Sequence, residues 1–285
     1  MNRTIKQLDK QMFLAWHDEP SVGMVDRTNP DCPFHQVIGQ DQAVRRLSRV
    51  AFESLGNKHH QPQQRRILLT GPRSCGKRTL AKLFAKTIGL PFVSIGSSVR
   101  SVNDLLVEVA VVCENTIVPI TGSDELCSLE LVPMRRNRDG AEVIVVPSLI
   151  VYVDEVASLS EDVLQAVLQA SQDDPEDIVT EKDFMVEFFK VCCVLSSSDP
   201  LIVADHRFES FTKLRFSPLS KEELFHVIKN NHGDIPNDVC RQIAQQAKTP
   251  REAEALVREL RIETEMNPGA SWLEALQAVR SDCAI

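Results

Sequence analysis

The sequence has no C-x-x-C pair, and its eight cysteines (Cys32, Cys75, Cys113, Cys127, Cys192, Cys193, Cys240 and Cys283) keep no metal-ligand spacing with the seven histidines. That scatter argues against a zinc ribbon or a disulfide framework and suits free thiols in a reducing compartment. No apolar run approaches the roughly 18 residues that a membrane span requires. The opening MNRTIKQLDKQMFLAW also lacks the apolar core of a secretory signal. A cytoplasmic chain without membrane contact is the expectation. An excess of positive charge is missing too. The formal net charge is −8, so any contact with nucleic acid must come from a local basic strip and not from an overall field. With 285 residues, 43% hydrophobic and 25% charged, the chain can bury a large core or two unequal domains.

Along the chain, residues 1–33 read as a polar extension, and apolar spacing at Ala43, Leu47, Val50 and Ala51 then predicts a helix after Gly39. From residue 65, short apolar runs alternate with helical patterns, the sign of crossover units on a parallel sheet. Five strands are expected, at 65–71, 91–96, 148–155, 190–198 and 213–219. Between the second and third, residues 116–147 read as an inserted β-hairpin with the tip RRNRDG, and DDPEDIVTEKDFMVEFFK forms a second insertion. The α/β domain is placed at 34–218, and 219–285, helical in pattern, is read as a small lid of three or four helices.

The stretch GPRSCGKRT, Gly71 to Thr79, lies between an apolar strand and a helix, the context that makes G-x-x-x-x-G-K informative. Backbone N–H groups of such a loop wrap a phosphate while the next helix presents its positive end. Gly71 and Gly76 permit the tight backbone, Pro72, Arg73, Ser74 and Cys75 span it, and Lys77 supplies a cation for the β- and γ-phosphates. A nucleotide hydrolase further needs one carboxylate for Mg²⁺ and another to polarise the attacking water. LIVYVDE offers both at the end of an apolar strand, Asp154 for the metal and Glu155 as the base. Taken alone, the pair could instead be an acidic cap for the helix that follows.

The ordered set VIGQDQAVRRL, GPRSCGKRT, LIVYVDE, VLSSSDP, HRF with LRFSPLSKEEL, and TPREAEALVREL resembles the AAA+ ATPases, and among them it is similar to the RuvB branch-migration motors, over residues 34 to about 262. The resemblance implies a five-stranded parallel P-loop sheet flanked by helices, a helical lid, and ATP with Mg²⁺ as ligands. It implies an adenine pocket at Val37, Ile38 and Gly39, a γ-phosphate sensor at Ser197 or its neighbour Ser198, and a second sensor at Arg251. Arg207 falls where the family places a finger that reaches a neighbouring subunit's ATP. An oligomer is therefore implied, either a hexameric ring or spiral of one chain or a mixed assembly with related subunits.

Three departures bear on function. Arg78 stands where a phosphate loop normally has the Ser or Thr that ligates Mg²⁺; either Thr79 or water substitutes, or binding outlasts hydrolysis. The chain stops soon after the lid, so the winged-helix domain of RuvB is expected to be absent. The pore-facing loop GSSVRSVND carries Arg100 and no aromatic, which argues mildly against protein threading. Contacts with DNA phosphates are expected from Arg100 and from the hairpin-tip residues Arg135, Arg136 and Arg138, and contacts with a protein partner from the N-terminal extension or the hairpin. Three functions stay open: a motor on DNA within a larger complex, an ATP-dependent remodeler or loader of protein assemblies, and a nucleotide-gated scaffold with slow turnover.

Overall fold

The structure is a computed structural model that describes Phe34 and residues 37–56, 66–114, 134–136, 142–146, 148–172, 178–179, 185–188 and 191–282. The N-terminal extension and Arg138 lie outside the described residues. These divide into two compact units, one carrying 41–70 and 77–215, the other 36–40, 71–76 and 216–282.

The first unit is built on β1 (Arg66–Thr70), β2 (Phe92–Ile95), β5 (Ile150–Val153), β8 (Cys192–Ser197) and β9 (Thr212–Arg215), a parallel sheet in the order β2-β5-β8-β1-β9. The burial of each strand follows its place. The central strands IVYV and CCVLSS are buried at every residue, as parallel strands covered on both faces must be. FVSI alternates half-buried and buried residues, which suits the sheet edge where β2 lies. The last strand ends earlier than its apolar pattern suggests, at Arg215.

Four helices serve this sheet: α1 (Asp41–Gly56), α2 (Lys77–Ile88), α3 (Val102–Glu114) and α4 (Glu161–Ala170). Leu105 and Val109 of α3 and Val163 and Val167 of α4 pack on Val93, Val151, Val153, Cys193 and Leu195. Side chains alternate along a strand, so Ile150, Tyr152, Cys192 and Val194 are turned to the other face, where α2 meets β5 and β8 and α1 packs on α2.

The insertions form more than a hairpin. β3 (Met134–Arg136) and β4 (Glu142–Val146) are antiparallel, β6 (Ile178–Val179) and β7 (Met185–Phe188) likewise, and β4 pairs parallel with β7 to give a sheet β3-β4-β7-β6. Arg135 and Arg136 are therefore strand residues paired with Val143 and Glu142, not part of a tip, which corrects the expectation for them. Polarity suggests a turn at these two positions, but each takes up a place in the ladder. β4 leads into β5 and β7 into β8, and the pairing keeps one offset throughout: Val143 with Met185, Val146 with Phe188, Ile150 with Cys192, Val153 with Leu195.

The second unit holds α5 (Lys221–Asn231), α6 (Asn237–Gln246), α7 (Pro250–Met266) and α8 (Trp272–Asp282) around Leu224, Ile228, Ile235, Val239, Ile243, Val257, Leu260 and Leu276. Ser220 and Glu223 form a reciprocal capping box on α5, and Thr249 caps α7 with Pro250 in its first turn. Lys221 Nζ donates to the carbonyls of Gln245 and Ala247, satisfying acceptors at the end of α6. Gln40 and Ser217 exchange two hydrogen bonds, of 2.7 and 3.0 Å, in which the Gln40 amide acts as a strand would.

Candidate active site

The phosphate-loop candidate begins where β1 ends. Gly71 has φ 144°, Ser74 φ 60° and Gly76 φ 94°, before Lys77 opens α2. A loop that alternates hand in this way is the geometry in which successive N–H groups converge on an anion. Gly71 is also required sterically, since a Cβ there would lie 2.5 Å from the Phe216 carbonyl oxygen. Gly39 is constrained similarly: its φ is 68°, and a Cβ would lie 2.5 Å from Glu223 Oε1. Val37 and Ile38 precede it, half-buried.

Asp154 follows the last residue of β5 at the carboxyl edge of the sheet, where ligands of parallel α/β sheets bind. Because Val153 pairs with Leu195, the next positions along the two strands bring Asp154 and Glu155 beside Ser196 and Ser197. Tyr152, fully buried, places its hydroxyl 3.1 Å from Ser196 Oγ and 3.3 Å from Asp154 Oδ1. Ser196 Oγ also accepts from Glu155 N at 3.2 Å. Glu155 adopts φ 74°, a left-handed conformation that costs a side-chain-bearing residue about 1 to 3 kcal/mol and persists only where surroundings impose it.

Two serines hold the Glu155 carboxylate. Its Oε1 accepts from Ser197 Oγ at 3.0 Å, and its Oε2 accepts from Ser198 N at 2.8 Å and Ser198 Oγ at 2.6 Å. Burial pushes the Glu155 carboxyl up, but the hydrogen bonds from Ser198 and Ser197 and the charge of Lys77 outweigh it and hold the group below its ordinary value. The carboxylate is thus ionised, and Oε1, with one donor, retains acceptor capacity. Ser160, not Asp154 or Glu155, caps α4 by accepting from Val163 N.

Arg207 lies in a short 3₁₀ turn capped by Asp205. Its guanidinium donates to Asp205 at 2.7 Å and to Glu161 at 3.0 Å, and stays about one-third exposed. Hydrogen bonds from Arg207 hold Asp205 down at about 2, while Asp205 raises the arginine. The other expected residues are spread out. Arg78 and Thr79 are exposed in the first turn of α2. Arg251 is exposed in the first turn of α7. Arg100 is exposed before α3, its N–H donating to Asp104 and its carbonyl accepting from Ser160.

The donor set fits a magnesium nucleotide. Within the first unit, a nearly buried lysine, a carboxylate at the strand end and an ionised carboxylate beside it are what triphosphate, metal and water require. The hydroxyl usual at position 78 is the missing part. Tyr152, Ser196, Asp205 and Glu161 were not singled out in the sequence. Tyr152 carried a signal, because a tyrosine in a fully buried strand needs a partner for its hydroxyl.

No family model matches the chain, and no curated protein matches it. Among solved structures, the fold is similar to a point mutant of RuvB from Thermotoga maritima, at 16% identity and TM-score 0.56, covering 85% of this chain and 70% of that one. It is also similar to the T. maritima RuvB Holliday junction branch migration motor, at 16% identity and TM-score 0.52 with the same coverage. Cdc6p from Pyrobaculum aerophilum aligns at 19% identity and TM-score 0.52, over 85% of this chain and 66% of that one. The likeness is one of fold: a five-stranded parallel sheet flanked by helices, accompanied by a separate helical unit, as in the RuvB and Cdc6p structures.

Proposed function

We propose that the chain binds ATP with Mg²⁺ on the loop from Gly71 to Thr79 and hydrolyses it with Glu155 as general base. The observation that carries this reading is the ionised Glu155, fixed by Ser197 and Ser198 beside Lys77 at the carboxyl end of the sheet. Lys77 compensates phosphate charge, Asp154 is the carboxylate for the metal, and Val37, Ile38 and Gly39 bound the adenine. When bound, Mg²⁺ neutralises charge on the transferred phosphoryl group. Oε1 of Glu155, which keeps acceptor capacity, takes the proton of the attacking water, and Ser197 holds that oxygen in place. Arg251 reports lid position, and Arg207 acts across a subunit interface in an oligomer that works on DNA within a larger cytoplasmic complex. Arg100, Arg135 and Arg136 supply phosphate contacts.

Phosphate release and binding of a fluorescent ATP analogue test this together. Glu155→Gln should lower turnover about a hundredfold or more while binding persists; unchanged turnover would move the base elsewhere. A second reading, a nucleotide-gated scaffold with slow turnover, is favoured by Arg78 in place of the metal-binding hydroxyl. It predicts analogue binding with little phosphate release in the parent chain, and recovery of turnover in Arg78→Thr.

A further inference from the structure

Helix α2 carries four cations, Lys77, Arg78, Lys82 and Lys86, and not one acidic residue, in a chain with 40 acids and 32 bases. Its first turn holds Lys77 and Arg78 with nothing to offset the helix dipole. Arg78, Lys82 and Lys86 recur every fourth residue on one exposed face, where each adjacent like-charge pair costs about 0.2 to 0.5 kcal/mol. None of these three makes an ion pair among the described residues. A phosphate accounts for Lys77. It does not account for Lys82 and Lys86, which lie one and two turns further along.

Those residues wall a groove of about 610 Å³ whose floor is Leu83, Leu90 and Phe92. The groove joins a row of cations, roughly 6 Å apart along the helix, to apolar surface left half-exposed. From this pairing we infer that the groove is a docking site for an acidic, amphipathic segment of a partner protein, with carboxylates meeting Arg78, Lys82 and Lys86 and apolar side chains filling the floor. Nucleic acid fits less well. Phosphates would match the cations, but Leu83 and Leu90 give the floor aliphatic surface that a phosphate backbone leaves uncovered, and Phe92, stacked on Tyr152 at 5.7 Å, has only its other face to offer a base. This inference does not rest on nucleotide hydrolysis.

The test is fluorescence anisotropy with a labelled 12-residue peptide alternating aspartate and leucine, compared with oligo-aspartate and single-stranded DNA of equal length. Lys82→Glu with Lys86→Glu replaces only exposed side chains, and retention of its melting temperature checks that it folds. The alternating peptide should bind the parent, about fivefold more tightly than oligo-aspartate, and weaken about tenfold or more in the double variant and on raising salt. Fluorescent ATP-analogue binding should be the same in both proteins. No peptide binding, equal binding by parent and variant, or oligo-aspartate binding as well as the alternating peptide would overturn the proposal. DNA binding tighter than the peptide and lost in the same variant would overturn it in favour of nucleic acid. Loss of analogue binding in the variant would overturn it by returning the lysines to the nucleotide site.

Discussion

Glu155 and Arg207 are held by opposite means. The carboxylate of Glu155 accepts three hydrogen bonds from uncharged serine groups on a buried strand end, whereas Arg207 is gripped by two carboxylates on a partly exposed turn. The first arrangement fixes position without cancelling charge, so Glu155 stays anionic and available. The second neutralises its arginine, and salt screens it because it faces water. A base must be placed and left charged. Under the proposed function Arg207 changes partners, and contacts that exchange readily suit that role.

The most severe way to break the contrast is to remove the cation on the Glu155 side. Lys77→Ala should abolish nucleotide binding, at least a hundredfold, because triphosphate charge in the loop is left uncompensated; equal binding of a fluorescent ATP analogue by mutant and parent would refute the phosphate-loop assignment. Removing both hydroxyls with Ser197→Ala and Ser198→Ala should slow turnover about ten- to a hundredfold. In a pH series it should also move the acid limb upward, because two of the three donors that hold Glu155 below its ordinary value are lost and only the position-198 N–H remains. An acid limb that stays in place would mean that the serines do not tune this group.

Arg207→Ala should leave nucleotide binding intact and remove turnover, and mixing it with Glu155→Gln should restore part of the rate wherever one chain's arginine meets the other's base. Absence of recovery in mixed oligomers shown to form would count against a shared site. The smallest effect is expected from Asp205→Asn. The depressed Asp205 carboxyl stabilises the fold above its unfolded value near 3.9, and that contribution disappears as pH falls toward about 2. Parent and variant should therefore differ in melting temperature at pH 7 and low salt, and converge near pH 2. A difference that persists at pH 2 would assign the effect to packing.

The sheet was legible because its central strands are unbroken apolar runs, and IVYV and CCVLSS cannot alternate when both faces are covered. The positions of the loop at Gly71 and of the pair Asp154–Glu155, each following a strand of the sheet, were legible from the apolar runs that precede them; their ligands belong to the proposed function. The serine cradle was not. It depends on β5 lying beside β8 in one register, a fact of sheet order that spacing along a single strand does not carry. The Asp205–Arg207–Glu161 contacts escaped for a similar reason, since Glu161 belongs to another helix. Arg135 and Arg136 were misplaced because polarity suggested a turn where the ladder continues.

The constant offset that runs from Val143–Met185 to Val153–Leu195 has a mechanical side. β4 keeps step with β7 over four residue pairs in one sheet, and β5 with β8 over four pairs in the other. The first ladder lies beside the Arg135–Arg136 strand, and the second ends at Asp154, Glu155 and the serines. A force along any of these strands meets the hydrogen bonds of its parallel ladder in shear, so they share the load and do not open one after another like a zipper. Traction on β5 is therefore passed to β8 with little slack, and Glu155 and the serines that hold it move together.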